Sequence, residues 1–177
     1  GPRSREEKMY ERESGDVMHL SHKTGETNSL RSDRVCSVLT TSGSGVGIGT
    51  DGRGVNRYDP QTNEFTHYSN SAGNPRGLSN NFIHVVFEDS KNRLWLGSQS
   101  GLNLYDPKTD SFTSYSHDAS NPYSIGGNNV RTIIEDDLGA LWVGTYGGGL
   151  DQFVVHSGQF IHYRHQSSDT SSISNDI

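Results

Sequence analysis

Three groups of residues in this chain are of types that could do chemistry. Glu88-Asp89 and Glu135-Asp136-Asp137 are carboxylate pairs of the kind general acid/base work requires. His19 and His22 near one end share their spacing with His162 and His165 near the other, and imidazole is a ready ligand for transition metals. Gly147-Gly148-Gly149, within EDDLGALWVGTYGGGL, would cradle a phosphate if a helix came next. The segment from Leu150 onward, LDQFVVHSGQFIHYRH, instead alternates apolar and polar and is rich in Val, Ile, Phe and Tyr, so it reads as strand. No Ser, Cys or Lys has a base and an orienting group at a family-specific spacing.

The elements that must position these residues recur. Trp95 precedes Trp142 by 47 residues and Gly97 precedes Gly144 by 47, while Phe65, Phe112 and Phe160 fall 47 and 48 apart. Leu30, Leu78, Ile125 and Ile173, each in a loop before a new unit, are spaced 48, 47 and 48. This is an internal repeat, and it outranks any single motif. VRTIIED matches IHVVFED and, more loosely, VCSVLTT; ALWVGT matches RLWLGS and GVGIGT; GLDQF, GLNLYD and GVNRYD form a third set; QFIHY, SFTSY and EFTHY form a fourth. Four short strands per unit of about 48 residues predict an all-β fold, a partial β-propeller of four-stranded antiparallel blades. The blades are expected at 35–68, 83–115 and 130–163. Residues 9–22 align without gaps on 57–70, so they are expected to be the third and fourth strands of a preceding blade, and 164–177 a linker to a truncated next one. Residues 1–8, opening GPRS, read as an expression scar or disordered. An arc of this size leaves open ends, and self-association through them is expected.

The repeat changes how the candidate chemistry is read. Both acidic pairs fall at the turn between first and second strands, where Asp caps a turn, so neutralising Glu135 and Asp136 is expected to cost no more than one turn hydrogen bond. The histidines fall on outer strands and the loops after them, as exposed polar positions, with no metal and no cofactor expected. Gly147, Gly148 and Gly149, like Gly52 and Gly54, fall between second and third strands, where a tight hairpin demands φ > 0. Trp95 and Trp142 read as core between blades, with Gly97, Gly144, Tyr58, Tyr105 and Phe153 completing a structural frame. No catalytic residue is expected.

Composition sets outer limits. Only 29% of residues are hydrophobic, but they fall at regular strand positions, which argues for order. A net charge of −6 gives no basic footprint for nucleic acid. No apolar run reaches membrane-spanning length, so no membrane contact by this segment is expected. Cys36 is the single cysteine, which precludes an internal disulfide.

SNNFIHVVFEDSKNRLWLGS and GGNNVRTIIEDDLGALWVGTYGGGL resemble the two-component regulator propeller repeat over roughly residues 9–177. The first copy departs from the pattern, with Gly47 where Trp95 and Trp142 stand and Thr40-Thr41 in place of Glu-Asp. The resemblance implies the periplasmic or extracellular sensor region of a membrane-anchored hybrid histidine kinase or diguanylate cyclase. It also implies a small-molecule or glycan ligand, whose binding is passed through dimer rearrangement to a cytoplasmic output domain. A non-sensing protein-protein interaction scaffold is the alternative, and a propeller lyase or glycoside hydrolase a more distant one. Loops on a rigid frame carry binding, and blade topology is expected to put the entry linkers and the turns between second and third strands on one face. Candidate ligand-binding residues there are Asn74, Arg76, Asn121 and Tyr123 in linkers, and Asp51, Arg53, Gln99 and Tyr146 in turns.

Overall fold

The computed structural model describes residues 7–10, 17–43 and 45–176, with backbone alone for 7–10. Short runs of β-branched and aromatic residues, broken by Gly, Asn and Asp turns, form antiparallel strands in chain order. β1 (Glu7–Tyr10) pairs with β2 (Val17–Leu20). The first four-stranded sheet is β3 (Val35–Thr40), β4 (Val46–Thr50), β5 (Val55–Asp59) and β6 (Glu64–Tyr68). The second is β7 (Ile83–Glu88), β8 (Leu94–Ser98), β9 (Gly101–Asp106) and β10 (Ser111–Tyr115). The third is β11 (Val130–Glu135), β12 (Leu141–Thr145), β13 (Gly149–Val154) and β14 (Gln159–Tyr163). These sheets are propeller blades. Their first strands β3, β7 and β11 pack side by side and form the inner edge, which leaves β6, β10 and β14 outermost.

Register repeats with the sequence. Tyr10 faces Val17 as Tyr58 faces Phe65, Tyr105 faces Phe112 and Phe153 faces Phe160. β1 begins at Glu7, so Glu7 and Lys8 belong to the strand rather than to the segment before it. Residues 1–6, assigned to a scar, and 11–16, expected within the preceding half-blade, lie outside the described residues.

Each linker is pinned by the same bonds. The side chains of His22, Asn70, His117 and His165 bond the carbonyls of Leu30, Leu78, Ile125 and Ile173 at 2.7, 2.6, 2.9 and 2.8 Å. Their amides donate to the side chains of Asp33, Asn81, Asn128 and Asp176. Leu30, Leu78 and Ile125 are thereby held as buried plugs. Both ring nitrogens of His162 are engaged, with the Asp151 carboxylate at 2.5 Å and the Pro122 carbonyl at 2.9 Å. These histidines are therefore joints of the frame, where the sequence reading had only exposed polar positions.

Trp95 is fully buried between the second and third blades, whereas Trp142 is half-buried, because no further sheet covers it among the described residues. The expectation of two equivalent core tryptophans thus holds for one of them. A Cβ added at Gly97 would lie 2.6 Å from a Val130 methyl of the next blade, so that blade contact requires glycine. In the glycine run, Gly147 and Gly149 have φ of 78° and 75°, but Gly148 does not share this conformation. Close approach to Gly126 and Gly127 excludes a side chain there instead.

Candidate functional site

The acidic pairs prove to be joints of the frame. Asp89 accepts from the amides of Lys91 and Arg93 at 3.0 and 2.9 Å, from Arg93 Nε at 2.6 Å and from the indole Nε1 of Trp95 at 2.8 Å. Asp136 repeats this with Leu138, Ala140 and Trp142. The glutamates reach backwards: Glu88 accepts from the amide and hydroxyl of Ser42, and Glu135 from those of Ser90, each in the turn of the preceding blade. Neutralising Glu135 and Asp136 together thus touches five bonds and two blades, more than the single turn bond expected from sequence.

The stronger candidate lies at the other end of the inner strands. In every blade the pairing of first and second strands slips by one residue at the same place: between Val35 and Ser37, Ile83 and Val85, and Val130 and Thr132. The extra residues are Cys36, His84 and Arg131. A β-bulge turns its extra residue out of the pleat and re-aims it. Here it leaves Ile83 and Val86 together against Gly49 of the preceding blade, with His84 off that packed face.

Two positions upstream of each bulge stand Arg34, Phe82 and Asn129. Their carbonyls accept the amides of Asp51, Gln99 and Tyr146 at 2.9, 3.1 and 2.8 Å, so the turn between second and third strands is held beside the bulge. Three positions from three blades therefore bring nine side chains of eight types together on an otherwise repeated frame. Arg34 forms an ion pair with Asp51, and the Arg131 guanidinium lies over the Tyr146 ring at 5.9 Å. Burial pushes the His84 imidazole below its usual range, and the positive charge of Arg131 lowers it further. His84 Nε2 and Asn129 Oδ1 are both buried without a hydrogen-bond partner among the described residues. Burial and the Asp51 charge push the Cys36 thiol up, so it stays protonated and is no nucleophile. Such an arrangement is suited to binding: two guanidiniums, a neutral imidazole, and the exposed rings of Phe82 and Tyr146.

Of the eight residues expected on one face, the structure brings four together. Asp51, Arg53, Gln99 and Tyr146 lie in the turns beside the bulges. Asn74, Arg76, Asn121 and Tyr123 lie along the outer strands instead. The Arg76 carbonyl accepts the amide of Phe112 at the start of β10, and the Tyr123 carbonyl that of Phe160 in β14. Asn74 and Asn121 close local turns onto the amides of Arg76 and Tyr123. These linkers cover the outer strand edges, which would otherwise recruit other chains. Phe112 pairs with Tyr105, four residues along β9 from Gly101, so the linker group is roughly 13 Å down the strand from the turn group. Sequence reading missed Arg34, Cys36, Phe82, His84, Asn129 and Arg131. The signal available was chemical variation at fixed repeat spacing inside a strand, since Cys36, His84 and Arg131 are 48 and 47 apart.

The two-component regulator propeller family matches residues 77–100 and 124–147, segments that each run from a buried plug through the bulge to the turn beside it. Those two segments, in the second and third blades, are thus similar to the two-component regulator propeller repeat. Among curated relatives of this propeller, histidine kinase P4 of Formosa agariphila is 38% identical over 56 residues, 32% of this chain and 4% of that protein. Among solved structures, the extracellular domain assigned to a hybrid two-component system of Bacteroides thetaiotaomicron is 26% identical, with a TM-score of 0.66 over 73% of this chain and 18% of that one. A second such domain from that organism is 25% identical, with a TM-score of 0.64 over 85% of this chain and 21% of that one. The propeller thus spans about a fifth of those domains and far less of the kinase. A catalytically inactive virginiamycin B lyase of Staphylococcus aureus, 12% identical with a TM-score of 0.64 over 93% of this chain and 50% of that one, shares the fold alone.

Proposed function

We propose that this propeller is part of the ligand-reading, non-catalytic sensor region of a signal-transduction protein. It stands outside the cytoplasm and controls a histidine kinase or diguanylate cyclase output domain. The observation that carries this reading is the set of three bulges in one register, each presenting a different side chain beside a different turn residue. Drift on an exposed surface does not call for a repeated backbone distortion to re-aim the drifting position. The similarity to extracellular domains of two-component systems supports the placement, and among the described residues no helix is long and apolar enough to cross a membrane. The ligand is an acidic glycan fragment: Arg34 and Arg131 take its carboxylate or sulfate, while Tyr146 and Phe82 take the apolar face of a sugar ring. Titration calorimetry against acidic and neutral oligosaccharides tests this. Arg131→Ala should weaken the acidic ligand about tenfold without shifting the melting temperature. Binding that is indifferent to both Arg131→Ala and His84→Ala would remove the site, and no binding at all would favour the scaffold reading.

Self-association is the second part of the proposal. Trp142, Gln152 and Ile161 lie in one row across the third blade, and Trp142 is partly and Ile161 about half exposed, so this face offers apolar area to a second copy. Light scattering over a concentration series, with Ile161→Lys as the variant, should show association that the variant abolishes.

A further inference from the structure

Between the first and second blades lies a cavity of about 370 Å³, walled by Val55, Tyr68, Leu94, Tyr105 and Phe112. One repeat further along the chain these positions are Leu102, Tyr115, Leu141, Phe153 and Phe160, and all five pack in one core with Trp95. The counterpart of Trp95 is Gly47, which also lines the cavity. The empty volume is therefore the one that an indole fills in the neighbouring interface.

Its walls have not collapsed. Tyr68, Tyr105 and Phe112 keep ring separations of 5.6, 5.4 and 5.3 Å, against 5.1, 5.9 and 5.1 Å for the equivalent trio around Trp95. The hydroxyls of Tyr68 and Tyr105 both donate to Asp110 Oδ1, which fixes the two rings. A Cβ on Gly47 would meet only a Val86 methyl at 3.3 Å and the Leu39 carbonyl at 3.8 Å. Thr41 lines the cavity and stands where Asp89 takes the indole N–H in the next blade. At the rim are Arg57 and Lys91, neither in an ion pair among the described residues. Glu88, the rim carboxylate, is already held by Ser42. A volume of this size with apolar walls and a few charged groups at its mouth has the form of a small-molecule site.

We propose that this cavity binds a planar bicyclic aromatic carrying one negative charge. The ring lies among Tyr68, Tyr105 and Phe112, and the anionic group meets Arg57 and Lys91. Occupancy supplies to this interface the packing that Trp95 supplies to the next one.

Indole-3-acetate and indole are the probes, titrated into the whole chain and monitored by calorimetry and by NMR contacts to methyl groups. Both should bind, with contacts to the methyls of Val55 and Leu94. The double change Arg57→Ala with Lys91→Ala should weaken indole-3-acetate about tenfold and leave indole within about twofold. Gly47→Trp, by filling the volume, should abolish both, and if that variant does not fold, the methyl contacts in the unaltered chain decide alone. No binding of either probe at millimolar concentration would overturn the proposal, as would contacts at Val38 or Ile134 on the inner strands. Arg131→Ala should leave these titrations unchanged, so failure here is separate from failure of the sensor site.

Discussion

Between the second and third blades, Trp95 is buried on every side: its ring lies 5.2 Å from Phe153, its N–H donates to Asp89, and Arg93 lies 5.4 Å over its face. Between the first and second blades, the same register position is Gly47, Thr41 replaces the aspartate, and a cavity remains. Strand pairing, linker plugs, aromatic trio and the backward-reaching glutamate are nevertheless the same in both. The comparison separates what builds a blade contact from what fills it. Backbone register and the polar joints hold the blades at their spacing, and the indole adds apolar contact and a buried polar link.

The largest effect should come from emptying the filled interface. Trp95→Ala is expected to cost about 3 to 5 kcal/mol in urea unfolding, as a large buried truncation. Trp142→Ala, on a half-exposed face, should cost only about 1 to 2 kcal/mol. Equal losses at both positions would break the comparison.

Removing the polar link comes next. Burial works to raise the Asp89 carboxyl, but the bonds from the Trp95 indole and from the Arg93 amide and guanidinium outweigh it and hold the group below the usual carboxylate range. A depressed folded pKa means stability that is present above the unfolded value, near pH 4, and lost as pH falls through the folded one. Asp89→Asn should therefore cost about 1.5 to 3 kcal/mol at neutral pH and flatten the loss of stability seen below about pH 4. An unchanged acid profile in that variant would mean that another carboxylate governs it.

Filling the empty interface should stabilise. Gly47→Trp together with Thr41→Asp is expected to add about 1 to 3 kcal/mol by burying an indole with its N–H partnered. Gly47→Trp alone should add less, since its N–H would meet only the Thr41 hydroxyl. A lower melting temperature for the double variant would show that Val86 cannot give way and that the two interfaces differ in spacing as well as in content.

The smallest effect belongs to the joints shared by both. Glu88→Gln and Glu135→Gln should each cost about 0.5 to 1.5 kcal/mol. Similar values at the two sites, measured by chemical denaturation, would confirm that the glutamate clamp works independently of the tryptophan beside it.

Much of this architecture is legible in the chain because a repeat samples each position several times. Alternation marked the strands, and the recurrence of Trp, Phe and Tyr marked which belong to equivalent blades. The missing tryptophan at Gly47 was visible as a break in that pattern, although its consequence, a cavity with intact walls, was not. The candidate site was half legible. Asp51, Gln99 and Tyr146 stood out as variation in turns, where variation is easy to notice. Cys36, His84 and Arg131 lie within strands, where a period of two assigns every residue to one face or the other and cannot register a bulge.

By itself the sequence determined the fold class, the blade repeat and the antiparallel order, because these arise from local periodicity and turn chemistry. Only the tertiary structure decided which residues share a surface. It sent Asn74, Arg76, Asn121 and Tyr123 to the outer strand edges, where backbone amides of the next strand required partners. It gathered Arg34, His84, Arg131 and Tyr146 at the inner end, because backbone slips in separate blades re-aim His84 and Arg131, 50 and 97 positions from Arg34 along the chain, and the turn carrying Tyr146 is bonded beside the last of them. Distances of that kind are set by how sheets pack against one another, and no local pattern of residues encodes them.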